Sequence, residues 1–355
     1  MVDAILLEAS LRLSNKPFWA DLDYRTLYLG GGTPSVLSSI ELKKLVDGVC
    51  SSLGLRVSDL KEVTLEANPE DLSKTNLDGW LEAGFNRLSI GVQSFHDDTL
   101  NWMNRSHTGR QAKDGVRRAR EAGFARISMD LIYGAPTKRD WERDVATALE
   151  LPVQHLSAYA LTVEPQTVLG TRVSRQQQRM PADDAVVNDY LVLCDQMNGR
   201  GWDHYETSNW AAPSPNGSFV AQHNSAYWTG APYLGLGPGA HGTLQKTRYA
   251  NISNNPRYLE SINKGFLFET QEQLSPRDLY NEAIMTGLRT STGISPSALQ
   301  SIWGRRPDQA EPTSWQLALA SGSLVAAPEG RFRIPESRWI TGDQVAASLF
   351  WVDSV

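Results

Sequence analysis

Four polar residues stand on or just after short runs of strand character: Glu66, Gln93, Arg105 and Asp130. If those runs are barrel strands, a polar side chain at the C-terminal end serves a ligand more often than one elsewhere does. A buried hydrogen-bond network is the competing explanation. In "YLGGGTPSVL", Tyr28 to Leu37, strand character gives way to three successive glycines. Such a run is entropically costly, so the backbone needs unusual freedom there or lets something approach closely. A cradle of backbone amides for phosphate fits that description, and so does a tight turn for helix–strand packing. The lysine and spacing of a nucleotide-binding P-loop are absent. A second kind of chemistry lies in "QHNSAYW", Gln222 to Trp228. His223 beside Asn224, Tyr227 and Trp228 would set an imidazole next to flat aromatic surface, the combination haem needs. The bland alternative is a surface loop with buried aromatics.

Other chemistries find little support. The six histidines form no HxH or HxxxH pair, which weakens hydrolytic zinc. Cys50 and Cys194 are the only cysteines, 144 positions apart, which excludes a disulfide scaffold and any CxxC site. Gly237 to Gly242 matches G-x-G-x-x-G literally, but no βαβ unit and no suitably placed acidic residue follow. It reads as a tight backbone turn.

The candidate residues need a scaffold, and an internal repeat suggests one. "EAGFNRLSI" (Glu82–Ile90) and "EAGFARISM" (Glu121–Met129) match at an offset of 39. Each reads as a helix end, a capping glycine (Gly84, Gly123) and a short strand. Ser38 and Glu41 offer a capping box for the helix after the glycine run. Strands are expected at Thr26–Leu29, Glu62–Glu66, Arg87–Ile90, Arg126–Ile132 and His155–Tyr159, with a sixth near Trp202–Tyr205. Strands alternating with helices imply a parallel sheet with right-handed crossovers. A full eight-unit barrel needs about 250 residues, so a partial barrel of about six units fits better. Its βα loops would gather Gly30–Ser35, Glu66–Glu70, Gln93 and Asp130. Val2, Ile5, Leu6, Ala9 and Leu13 mark one face of an amphipathic helix at the very start, where a βα array calls for a strand first. Beyond about Ser275 the rhythm stops and a mostly helical segment begins. The expected division is 1–210 for the barrel, 211–274 for the histidine motif and its connections, and 275–355 for the helical end.

With 41% apolar and 21% charged residues the chain reads as an ordinary folded protein. Its net charge of −6, without a basic run, argues against nucleic acid. No apolar run reaches the ~18 residues of a membrane span and no secretory signal opens the chain, so a cytoplasmic location is expected.

Six stretches in order, "YLGGGTPS", "LEANPED", "GVQSF", "MNRSH", "SMDLIYGAP" and "HNSAYW", resemble radical S-adenosylmethionine (SAM) proteins of the oxygen-independent coproporphyrinogen III oxidase type. Within that family, "HNxxYW" is similar to the mark of the HemW-like haem chaperones. The resemblance covers nearly the whole chain. It implies a partial (β/α)6, TIM-like barrel followed by a small, mostly helical, winged-helix-like C-terminal domain. It also implies that Gly31, Gly32 and Thr33 line the methionine end of SAM, and that Glu66, Gln93, Arg105 and Asp130 contact it. By the same resemblance His223 is the haem-iron candidate, Asn224 belongs to its motif, and Tyr227 and Trp228 shape the pocket. An unknown haem-acceptor protein is the implied partner.

One departure from the family is large. Its members hold a 4Fe–4S cluster with CxxxCxxC after the first strand, and Cys50 and Cys194 match neither the number nor the spacing. The resemblance therefore implies a chain lacking that strand and loop, through truncation or a misassigned start, or else a paralogue without radical chemistry. The expected function is a haem chaperone on a SAM-binding scaffold. The alternatives are a coproporphyrinogen III oxidase-like enzyme of porphyrin biosynthesis and an unrelated partial-barrel lyase.

Overall fold

A computed structural model describes residues 1–214 and 219–352. The first helix, α1 (Val2–Asn15), is followed by β1 (Thr26–Leu29), α2 (Ser39–Ser52), β2 (Glu62–Ala67), α3 (Lys74–Glu82) and β3 (Arg87–Gln93). Then come α4 (Asp97–Trp102), α5 (Gly109–Ala122), β4 (Arg126–Tyr133), α6 (Trp141–Glu150) and β5 (His155–Ala160). The five strands are parallel neighbours in chain order, the partial barrel that the βα rhythm requires. After α7 (Val168–Ser174) and α8 (Asp183–Gly199), a hairpin of β6 (Asp203–Glu206) and β7 (Asn209–Ala211) completes a seven-stranded sheet. The expected sixth strand is present as β6, but β7 is the one that pairs with β5, antiparallel. The turn at Thr207–Ser208 folds the chain straight back and places β7 between them.

Strand alternation separates two environments. Leu65, Leu88, Ile90, Ile127, Met129 and Leu156 join one apolar core with the surrounding helices. The intervening residues Thr64, Glu66, Arg87, Ser89, Ser128, Asp130, His155 and Ser157 share the opposite face, in register across β2 to β5. The barrel interior is therefore polar while its wall is greasy. Helix ends follow the expected chemistry. Ser38 and Glu41 form a capping box on α2, and Gly123 closes α5 with φ +114°. The starting helix α1 packs on α2, burying Val2 and bringing Ile5 and Leu6 beside Leu45 and Val49.

Beyond the barrel lie α9 (Gln222–Trp228) and a three-stranded antiparallel sheet of β8 (His241–Leu244), β9 (Thr247–Asn251) and β10 (Glu269–Gln273), with α10 (Asn255–Asn263) before the last strand. The Gly237–Gly242 segment is a turn leading into β8, and the Gly237 amide donates to the buried carboxylate of Glu8 at 2.7 Å. The C-terminal part contains α11 (Pro276–Leu288), α12 (Pro296–Trp303), α13 (Pro307–Ala310), α14 (Pro312–Ala320), the hairpin β11 (Val325–Ala327) with β12 (Arg331–Arg333), and α15 (Gly342–Ala347). Tyr280, Ile284, Leu288 and Trp339 join the same apolar core as the barrel wall. Among the described residues no helix is long and apolar enough to cross a membrane.

Candidate functional site

At the C-terminal end of β2, Glu66 uses both carboxylate oxygens. The Tyr28 hydroxyl donates to Oε1 at 2.7 Å and the Gly31 amide donates to Oε2 at 3.1 Å. The three glycines divide their labour. A Cβ on Gly30 would fall 2.5 Å from both Glu66 Oε1 and Tyr28 Cε1, so this position lets the strand, the carboxylate and the ring meet. Gly31 takes φ +80°, and a Cβ on either Gly31 or Gly32 would meet open space. The run is thus a packing device at its first residue and bare exposed backbone at the next two. Thr33 is exposed and precedes a short turn at Pro34–Val36.

Next door on β3, Gln93 sits after a register shift with φ +67°, an unfavourable conformation for a non-glycine residue. A Cβ on Gly91 would lie 2.9 Å from Gln93 Nε2, 3.0 Å from Arg105 Nη2 and 3.6 Å from Asn68 Oδ1. Three polar side chains converge over that glycine. Arg105 Nη2 donates to the Gly91 carbonyl at 3.2 Å, while its buried Nε has no hydrogen-bond partner. The loop carrying Arg105 is clamped by Glu70. Its carboxylate accepts from the Ser106 hydroxyl and lies 3.2 Å from His107 Nδ1, and His107 Nε2 lies 3.1 Å from the Val92 carbonyl. On β4, the Ser89 hydroxyl donates to Asp130 at 3.3 Å, and Ser157 supplies a second hydrogen bond. Burial nevertheless pushes the Asp130 carboxyl up to about 6, against the opposing pull of Ser157 and Arg87. The structure therefore gathers Gly31, Glu66, Gln93 and Asp130 on adjacent strands and their loops, with Arg105 brought over Gly91 by the α4–α5 loop and Gly32 and Thr33 at the rim.

The "HNSAYW" segment is a helix, α9, rather than a surface loop. Its N-terminus is pinned by Glu62, the first residue of β2, whose buried carboxylate accepts from the Gln222 and His223 amides at 3.0 and 3.1 Å. An anion at a helix start is favourably placed. His223 Nδ1 lies 2.9 Å from Thr26 Oγ1, and Nε2 lies 3.0 Å from the Tyr227 hydroxyl. The imidazole stacks on Tyr28, centroids 4.8 Å apart and planes 16° from parallel, and meets Tyr227 edge-on. Burial lowers the His223 pKa to about 4, so the ring is neutral at pH 7. Asn224 and Trp228 do not share that surface. They are one turn apart on another side of α9, outside the cavity wall, and Trp228 Nε1 is buried without a partner.

A cavity of about 800 Å³ runs along the outer edge of β1. It touches Gly30 and Gly31 at one end, and His223, Tyr227 and Tyr233 elsewhere. Ile5, Leu37, Leu45, Val49 and Leu236 make much of the wall apolar. Cys50 and Cys194 are both buried, on α2 and α8, and burial pushes the Cys194 thiol up to about 12. Cys50 lines the same cavity as Gly30 and Gly31, with no second cysteine beside it among the described residues.

The Radical SAM superfamily profile matches residues 18–149. Heme chaperone HemW of Bacillus subtilis is 35% identical over 326 residues, covering 91% of this chain and 84% of that protein. The chain belongs to the HemW family. Heme chaperone HemW of Lactococcus lactis is 38% identical over 272 residues, 76% of this chain and 70% of that one. The structure of coproporphyrinogen III oxidase (HemN) from Escherichia coli, a radical SAM enzyme, superposes with a TM-score of 0.78 over 98% of this chain and 83% of that one. At 19% identity that likeness establishes the fold alone.

For a HemW-family chain, the sequence alone assigned no individual role to Tyr28, Glu62, Asn68, Glu70 or Gly91. Tyr28 and Glu62 read as ordinary strand residues because their partners lie 38 to 161 positions away. Tyr28, Asn68, Glu70 and Gly91 all stand inside the quoted "YLGGGTPS", "LEANPED" and "GVQSF", but nothing local in those stretches says what they touch.

Proposed function

We propose that this chain binds haem on His223 and delivers it to an acceptor protein, and that it binds SAM at the loop ends of the barrel. The observation that carries the haem reading is a neutral imidazole on the wall of an apolar cavity of about 800 Å³. That volume lies within the range of pockets that enclose organic ligands, roughly 300–1,000 Å³. Tyr227 and Tyr233 offer ring surface beside it, whereas Asn224 and Trp228 act through the packing of α9.

The SAM reading rests on a donor set that suits an amino acid joined to a ribose. The unpartnered Nε of Arg105 is available to a carboxylate. Glu66 suits an ammonium group, Asp130 and Gln93 suit hydroxyls, and the bare backbone of Gly31 and Gly32 with Thr33 admits the methionine chain. Cys50 and Cys194 do not fit a 4Fe–4S cluster, which needs converging thiolates, so no radical step is assigned to these residues.

Difference-spectrum titration with haemin tests the proposal. A Soret band that saturates at one equivalent per chain supports a built site. A rise without saturation would reveal indiscriminate adsorption to aromatic surface and remove the reading's support.

A further inference from the structure

Tyr28 touches both halves of the site. Its hydroxyl donates to Glu66 Oε1 at 2.7 Å, and its ring lies flat against the His223 imidazole at 4.8 Å. The fit at the upper end is close, because only the missing Cβ of Gly30 lets the ring and the carboxylate meet. At the lower end Thr26 and Tyr227 hold the imidazole edges, and Tyr28 supports its face. A phenol is rigid from hydroxyl to ring, so a change at one end is felt at the other.

We propose that Tyr28 couples the two sites, so that a cationic amino-acid ligand at Glu66 weakens haem binding at His223. This rests on the haem and SAM reading above. An ammonium group drawn to Glu66 competes with the phenol for Oε1. The hydroxyl has no other hydrogen-bond partner among the described residues, so losing Glu66 turns the ring. Turning the ring removes the flat support that presents His223 to an iron. Coupling of this kind is reciprocal: haem must weaken the cationic ligand by the same factor. The arrangement makes arrival of one ligand a release signal for the other, and Tyr28 is its positioning residue.

The test measures haemin affinity with and without saturating SAM, in the parent chain, Tyr28→Phe and His223→Ala. In the parent, SAM raises the haemin Kd about fivefold or more, and haemin raises the SAM Kd equally. Tyr28→Phe keeps the ring and loses the hydroxyl, so the ratio of the two haemin Kd values should collapse towards one. A parent ratio near one, or a Tyr28→Phe ratio equal to the parent's, overturns the coupling. If His223→Ala binds haemin like the parent, it is the haem reading that fails. Should Tyr28→Phe not fold, the parent still decides, since a haemin Kd unchanged by saturating SAM overturns the coupling.

Discussion

The hydroxyl of Tyr227 occupies the His223 nitrogen that faces away from the strand, 3.0 Å from Nε2, while Thr26 engages Nδ1 at 2.9 Å. An iron must displace one of them. Tyr227 is the easier to move, being 39% exposed on a short helix, whereas Thr26 is fixed in β1. Tyr227→Phe removes the competing hydrogen bond and keeps the ring. A net bond of about 1 kcal/mol corresponds to roughly fivefold tighter haemin binding, read from the Soret titration. Weaker binding in Tyr227→Phe would show instead that the phenol helps to hold the haem.

In the proposed SAM site, Asp130 should set a pH dependence. Its carboxyl titrates near 6, raised from 3.8 chiefly by burial, and only the ionised form accepts fully from ribose hydroxyls. SAM affinity should therefore fall as pH drops from 7 to 5. Asp130→Asn should bind more weakly at pH 7.5 and show a flatter profile over that window. The folding linkage has the opposite sense. Because the folded state holds this proton more tightly, the contribution to stability is present below about 3.8 and is lost as pH rises through about 6. Calorimetric titrations at pH 5, 6 and 7.5 check the binding; equal slopes for parent and variant would separate Asp130 from the ligand.

Glu70 touches Ser106 and His107, the residues that follow Arg105. Glu70→Ala should loosen that loop and let the guanidinium wander from Gly91. A SAM affinity loss of about 1–2 kcal/mol, roughly five- to thirtyfold, is expected by calorimetry. Haemin binding, at the other end of the barrel, should change little. An unchanged SAM affinity would mean that the clamp does not position Arg105.

The strands were legible because each pairs local apolar alternation with a following turn signal. Thr26–Leu29 has the expected bounds, and β2 to β5 extend one to three residues further. The extensions add Ala67, Gly91–Gln93, Tyr133 and Ala160, where the ladder runs on towards the loops and, on β3, past a bulge to Gln93. What sequence could not reveal was long-range contact. Nothing near Asn209–Ala211 says that β7 slips between β5 and β6, because that placement follows from the hairpin turn and the space beside β5. "HNSAYW" reads as a loop because a seven-residue helix has little periodicity of its own, and this one is started by a carboxylate 160 residues away. Glu66, Gln93 and Asp130 were found by type and strand position, whereas the placing of Arg105 over Gly91 and the contacts of Tyr28 with both Glu66 and His223 needed the fold.

His223 is the proposed ligand of haem iron. Burial lowers the ring's pKa to about 4, so it remains a neutral ligand well below the point where an ordinary histidine protonates. Haemin titration of the parent chain and His223→Ala, at pH 7.5 and again at pH 5.5, tests this most directly. A saturating Soret band is expected in the parent at both pH values, and its loss or clear displacement in His223→Ala while the circular dichroism of the barrel is retained. Identical stoichiometry and spectrum in the two proteins would contradict it.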